Sequence, residues 1–422
     1  MNNREKLSVV TSPNMLNNNY LPSESRRDFL KLIGKSTTSA ALLTGCAVFS
    51  ATNPSSPSVP LIYRHSNNTL PQKKTTTDMS LASKIGQMLM VGFRGLTIND
   101  PVMQDIRDRH IGGVILFDYD VPQKRPMRNI QSPGQVRKLV RALQDYAEIP
   151  LLIGIDYEGG IINRLKERYG FPPTVSHEYL GTQNNLSLTY QYASQMAKTL
   201  ATMGINLNFA PVVDLNVNPD NPIIGQKERS FSANPTIVSE QALEFIKAHH
   251  QQGVLCTLKH FPGHGSSTND SHLGLVDVTD SWSKQELIPY ENLILKGQVD
   301  AVMTGHIFNK HLDKRYPATL SKPIITGLLR QELNYRRGVV FSDDLQMKAI
   351  AHHYGLKTAV QKAIEAGVDI ILIGNNLDVF VENIATQVTD IIKQLVADGT
   401  ISSARIDESY QRIQLLKSKI PV

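Results

Sequence analysis

Three observations predict an α/β chain built as a closed (β/α)8 TIM-type barrel, a single catalytic-size domain. Eight short apolar runs recur along the sequence, each followed by a segment of helical period. The runs are continuously apolar instead of alternating, which is the mark of parallel strands covered on both faces. Polar, chemically capable residues stand just past the apolar part of nearly every run, as they would around a barrel mouth. An open doubly wound sheet would gather them at one switch point. The 422 residues, 41% hydrophobic and 19% charged, suit one large globular body and exclude a disordered or membrane-embedded chain. The formal charge of +6 is spread without a block, so it hints weakly at acidic partners and gives no support for nucleic acid. Two cysteines are too few for a disulfide framework, and Cys256 reads as an inert buried thiol.

The first segment is not part of the fold. Residues 1–24 are polar, and Ser25-Arg26-Arg27-Asp28-Phe29-Leu30-Lys31 then precedes a mild apolar run from Ala40 to Val48. A charged stretch ahead of a short apolar one predicts an export signal, too short for a stable membrane span. The twin arginines resemble the signal of the bacterial system that exports folded proteins. Leu43-Thr44-Gly45-Cys46 resembles a lipobox, which implies lipidation at Cys46. The expectation is residues 1–46 as signal, 47–78 as a flexible tether and 79–422 as the barrel. The protein would then be exported and held by lipid at the extracytoplasmic or periplasmic face of a membrane.

Within the barrel the elements follow in order. Gln87–Phe93 reads as the first strand, before a helix near Val102–Asp108. Gly113–Phe117 precedes the amphipathic Gln135–Ala147, and Leu151–Ile155 precedes Leu188–Thr202. Ile205–Ala210 leads to Thr236–Gln251, and Val254–Leu258 to Lys284–Lys296. Ala301–Thr304 leads to Lys322–Leu333, Val339–Phe341 to Lys357–Glu365, and Ile370–Ile373 to closing helices near Phe380–Leu395 and Ser402–Leu416. Each strand is short, rich in Val and Ile, and stopped by polar or turn-forming residues. Surplus length falls in the loops 118–134, 159–187 and 214–235. Gly159-Gly160 reads as a turn, with no dinucleotide fingerprint around it.

The strand exits carry Asp118, Asp156-Tyr157-Glu158, Asp214, Lys259-His260, His306, Asp343-Asp344 and Asn375. The stretch from Leu258 to His272 reads as a loop with three histidines among glycines. It has no helical zinc pair, and the chain has no Gly-x-Ser-x-Gly elbow, so neither metal nor acyl-transfer chemistry is indicated. Glycosidic hydrolysis needs a carboxylate that attacks or activates water and a group that protonates the leaving oxygen. Asp343, leaving a rigid strand, is the better candidate nucleophile, although residues alone do not separate it from Asp344. For the proton donor, His272 stands two residues after Asp270, a spacing that would fix the imidazole tautomer and raise its pKa.

Four segments carry a family resemblance. They are Lys259-His260-Phe261-Pro262-Gly263-His264-Gly265 continuing to Asp270-Ser271-His272; Phe341-Ser342-Asp343-Asp344-Leu345-Gln346-Met347; Asp156-Tyr157-Glu158-Gly159-Gly160 with Asn163-Arg164-Leu165; and Glu228-Arg229-Ser230-Phe231. Together they resemble the family 3 glycoside hydrolases, and within them the β-N-acetylglucosaminidases acting on cell-wall sugars. The resemblance implies Asp343 as nucleophile and His272 as acid/base with Asp270 as its partner. It implies that Asp156, Arg164, Arg229, Lys259 and His260 hold hydroxyls of the terminal sugar, with His264 shaping the loop. No cofactor or metal is implied, and the expected partner is a carbohydrate, with a monomer as the default state. The chain departs from the family pattern at Ile161-Ile162-Asn163, where one of two arginines is missing, and at Ser266-Ser267. No second α/β domain is expected. A β-glucosidase, a phosphorolytic variant and a non-catalytic sugar-binding lipoprotein remain as alternatives.

Overall fold

The computed structural model describes residues 79–270 and 274–421. The expected export signal, Cys46, the expected tether and His272 lie outside the described residues. Eight parallel strands form the expected barrel: β1 (Leu89–Gly92), β2 (Gly113–Leu116), β3 (Leu152–Ile155), β4 (Leu207–Asn208), β5 (Leu255–Phe261), β6 (Ala301–Thr304), β7 (Val339–Phe341) and β8 (Ile371–Ile373). Neighbours in sequence are neighbours in the sheet from β1 to β7, β8 pairs with β1, and a bridge from Phe341 to Ile370 joins the remaining edges. Closure leaves no open sheet edge to guard.

Every residue of these strands is buried, as the unbroken apolar runs require. The barrel interior is packed, not hollow. Phe209 and Phe341 meet edge to face with ring centroids 5.5 Å apart. Gly154 makes room for them, since a Cβ there would stand 2.8 Å from the Phe209 ring. The helices bury the faces that their periodicity predicts. Pro133–Tyr146 turns Val136, Leu139, Val140 and Leu143 inward, and Ser132 caps it by accepting from Gln135 N. Each of those side chains contributes about 1.5–3 kcal/mol on burial.

Four expectations need correction. Gln87 ends a helix, Leu81–Gln87, and the first strand begins only at Leu89. Strand β5 runs through Lys259 and His260 to Phe261, so these two polar residues are strand and not loop. They are tolerated there because each has a buried ionic partner. The segment Pro323–Glu332 is wound with i to i+5 bonds, as from Leu333 N to Leu328 O. The helix expected over Lys357–Glu365 starts at Lys348 and is broken at Gly355, whose φ of +69° no helix accommodates. At the barrel end away from the mouth, Asp369 accepts from Arg330, Ser409 and Arg412 and ties the last helix to the sheet.

Candidate active site at the barrel mouth

The site is assembled from strand exits. After β3 the chain forms a hairpin, Tyr157–Gly159 against Ile162–Asn163, turned by Gly159 and Gly160 at φ +98° and +58°. The turn brings Arg164 back, so that its N–H reaches Asp156 O at 3.2 Å and its guanidinium reaches Asp156 Oδ2 at 3.3 Å. From β5, Lys259 Nζ meets Asp156 Oδ1 at 2.9 Å and Glu158 Oε1 at 2.7 Å. Arg229 grips Glu158 with two parallel bonds of 2.8 Å from Nε and Nη2. Burial alone would raise both carboxyls, but Arg229 and Lys259 outweigh it at Glu158, and Lys259 and Arg164 outweigh it at Asp156. Both therefore lie below the usual carboxylate range. The result is a rigid cage of alternating charge.

A second buried carboxylate orders the other side. Asp214, fully buried, accepts from His260 Nδ1 at 2.7 Å and from the backbone N–H groups of His260 and His264. With Nδ1 committed to Asp214, His260 Nε2 is the atom to which Arg229 Nη2 donates at 3.2 Å. His264 lines the same cavity, and burial, followed by the nearby His260, lowers its imidazole to about 4.

Asp343 leaves β7 half-buried, and its Oδ1 accepts from Asp344 N at 2.8 Å. The Asp344 carbonyl in turn accepts from the buried His306 Nε2 at 2.9 Å, and Asp344 Oδ1 accepts from Gln346 N. These bonds hold the backbone behind Asp343, while Asp344 takes part in the turn. One cavity of about 310 Å³ is lined by Asp343, Asp156, Arg164, Arg229, Lys259 and His260 together, above a floor that includes Phe209, Met303 and Leu372. It lies at the small end of ligand pockets. All six of those predicted residues therefore share one wall-to-wall site. Asp270 is half-buried and is not among the residues lining the cavity.

Sequence reasoning placed Glu158 and Asp214 among the acids of the strand exits but gave neither a role, although both hold residues that it put in the site. Their signal was faint. Glu158 stands two positions after Asp156, the spacing at which a strand returns to one face.

The segment leading toward Asp270 is rooted on buried groups. Asn221 Nδ2 donates to the carbonyls of His264 and Gly265, and Glu286 Oε2 accepts from Gly265 N at 2.9 Å. Burial pushes the Glu286 carboxyl up to about 7 from 4.5. The folded chain then holds this proton more tightly than the unfolded one. The associated stability is complete below the unfolded value and is lost as pH rises through about 7. Glu286→Gln, which keeps the acceptor for Gly265 without the charge, is expected to match wild type at pH 4 and exceed it at pH 8 by up to ~3 kcal/mol. Urea unfolding at the two pH values checks this.

Comparison with known proteins agrees with the geometry. The profile described as the glycosyl hydrolase family 3 N-terminal domain matches residues 80–416. The chain is 34% identical over 386 residues to β-hexosaminidase A of Pseudoalteromonas piscicida, covering 81% of this chain and 62% of that protein. It is 35% identical over 291 residues to a β-hexosaminidase of Tolumonas auensis, covering 68% and 83% respectively. Among solved structures, a family 3 β-N-acetylglucosaminidase from a Paenibacillus species superposes with a TM-score of 0.74 at 38% identity, covering 81% of this chain and 62% of that one. The chain thus spans about six-tenths of the first and third of these relatives. With four sequence segments, a barrel and a charged mouth all in register, this chain belongs to glycosyl hydrolase family 3 and is a homologue of the bacterial β-hexosaminidases.

Proposed function

We propose that the protein is an exo-acting, retaining β-N-acetylglucosaminidase that removes terminal N-acetyl-β-D-glucosaminyl residues, with peptidoglycan or muropeptide fragments as its natural class of substrate. The observation that carries this reading is the placement of Asp343 on the same small cavity as the Asp156–Lys259–Glu158–Arg229 cage. A small cavity at a barrel mouth, with fixed donors on its wall, suits a chain end better than a chain interior. The names of the relatives support the sugar class.

In this mechanism Asp343 attacks the anomeric carbon and the bond to the leaving oxygen breaks. His272, with Asp270 as its partner, gives that oxygen a proton. Water then attacks the glycosyl–Asp343 ester, losing its proton to His272, and the sugar leaves with its β configuration kept. Asp156, Arg164 and Lys259 would hold the ring hydroxyls. Arg229 and His260, bonded to Glu158 and Asp214, would act mainly by keeping that wall in place.

The primary test is an assay on a chromogenic N-acetyl-β-glucosaminide beside the plain β-glucoside, with and without inorganic phosphate. Release of free N-acetylglucosamine is expected on the first substrate. Preference for the glucoside, or a sugar phosphate as product, would replace this reading with one of its alternatives. His272→Ala is expected to slow poor leaving groups at least about a hundredfold more than activated aryl ones, since protonation matters less when departure is easy. Equal losses on both would assign His272 a binding role.

We also propose that Cys46 carries a lipid that holds the enzyme at a membrane surface. Among the described residues no helix is long and apolar enough to cross a membrane. Cys46→Ala is expected to move the protein from the membrane to the soluble fraction, and unchanged fractionation would reject lipidation.

A further inference from the structure

The rim of the cavity carries a feature that hydrolysis at the cage does not use. Residues Tyr119–Asp120 pair antiparallel with Arg125–Pro126 in a short hairpin after β2. Successive strand residues face opposite ways. Tyr119 and Val121, 38% and 42% exposed, line the cavity, while Asp120 between them is 1% exposed and turned inward. Asp120 accepts from Arg94 Nε at 2.6 Å and Nη2 at 3.0 Å, and from Arg128 Nη1 at 3.3 Å. Arg128, its side chain wholly buried, also donates to Asn376 Oδ1 and to the carbonyls of Asn375 and Phe93. Asn376 then clamps the hairpin backbone, donating to Tyr119 O at 2.9 Å and accepting from Val121 N at 3.0 Å.

Burying an arginine and a carboxylate is expensive even when they are paired, and one role that offsets the cost is to specify a conformation. Here the conformation specified is that of a hairpin whose outward side chains, Tyr119 and Val121, stay more than a third exposed. What the network secures is the aim of Tyr119 and Val121 at the cavity edge. Tyr119 opens the short strand and Val121 opens the turn after it, and both line the cavity.

We infer that Tyr119 and Val121 form a fixed platform for the leaving sugar, so that the enzyme selects β-linked oligosaccharides whose second residue is a pyranose. This rests on the glycosidase reading above, since the terminal sugar must occupy the cavity for its aglycone to reach the rim. The apolar C–H face of a pyranose lies on the tyrosine ring as on any aromatic surface, and the phenol hydroxyl stays in water. Val121 supports the far edge of the same ring.

The test compares wild type, Tyr119→Ala and Tyr119→Phe on the β-1,4-linked N-acetylglucosamine disaccharide and on methyl N-acetyl-β-glucosaminide, which has no second ring. In Tyr119→Ala, kcat/KM for the disaccharide is expected to fall about tenfold relative to that for the methyl glycoside. Tyr119→Phe, which keeps the ring, is expected to restore the wild-type ratio. Equal losses on both substrates would make Tyr119 a structural part of the mouth and overturn the platform, as would an unchanged ratio. A wild-type enzyme that cleaves neither substrate overturns the glycosidase reading itself. One that cleaves both with no selective loss in the variant overturns only the platform.

Discussion

Asp343→Ala is expected to leave the barrel folded and to lower turnover on an N-acetyl-β-glucosaminide by roughly four powers of ten or more, the scale on which removing an enzyme's nucleophile acts. Folding should survive because Asp343 is half-buried at a strand exit and the turn behind it is held by other bonds. His306 still reaches the Asp344 carbonyl, and Asp344 Oδ1 still accepts from Gln346 N. The substitution removes the Asp343 Oδ1 that receives Asp344 N, a bond between neighbours within the turn. Circular dichroism and steady-state kinetics on the same sample decide the matter. A variant that retains more than about a tenth of wild-type turnover would remove Asp343 from the covalent step. Trapping the glycosyl adduct with a slow fluorinated substrate, and finding it on another carboxylate, would do the same.

The second large effect concerns the cage. Glu158→Ala deletes a buried carboxylate that holds both Arg229 and Lys259, themselves largely buried. Removing one partner of such a cluster leaves uncompensated buried charge, at a cost of about 3–5 kcal/mol. Urea unfolding is expected to show that loss, and kcat/KM is expected to fall with it, since Lys259 would be left to Asp156 alone. Glu158→Gln should be milder because it keeps an acceptor for each cation. The pH dependence has the opposite sign from that of Glu286. The Glu158 pKa is depressed, so its stabilisation is present above the unfolded carboxylate value and disappears as pH falls. A Glu158→Ala protein as stable as wild type would show that the cage stands without this residue.

Much of the fold was legible because its signals are local. Eight continuously apolar runs became eight buried parallel strands, since a strand covered on both faces admits little else. The helix expected over Gln135–Ala147 was visible in its periodicity and forms as Pro133–Tyr146. Where boundaries slipped, a long-range partner had intervened. Lys259 and His260 look like loop residues by composition, yet they continue β5 because Asp156 and Glu158 pair with Lys259 and Asp214 accepts from His260, all from other strand exits. The hairpin at Tyr119 was unreadable for the same reason. Its sequence alternates weakly, and its anchor is Arg128 and Asn376, the latter more than 250 positions away from Tyr119.

By itself, then, the sequence determined the number and order of strands, the barrel class and the residues able to do chemistry, because apolar continuity and residue type are written position by position. The tertiary structure decided which of those polar groups pair with one another. Nothing in their sequence positions sets Arg229 against Glu158 at 2.8 Å or His260 against Asp214 at 2.7 Å, and the closing of the barrel does. Ion pairing falls off with distance, and the distances between strand exits exist only once the sheet has curved shut.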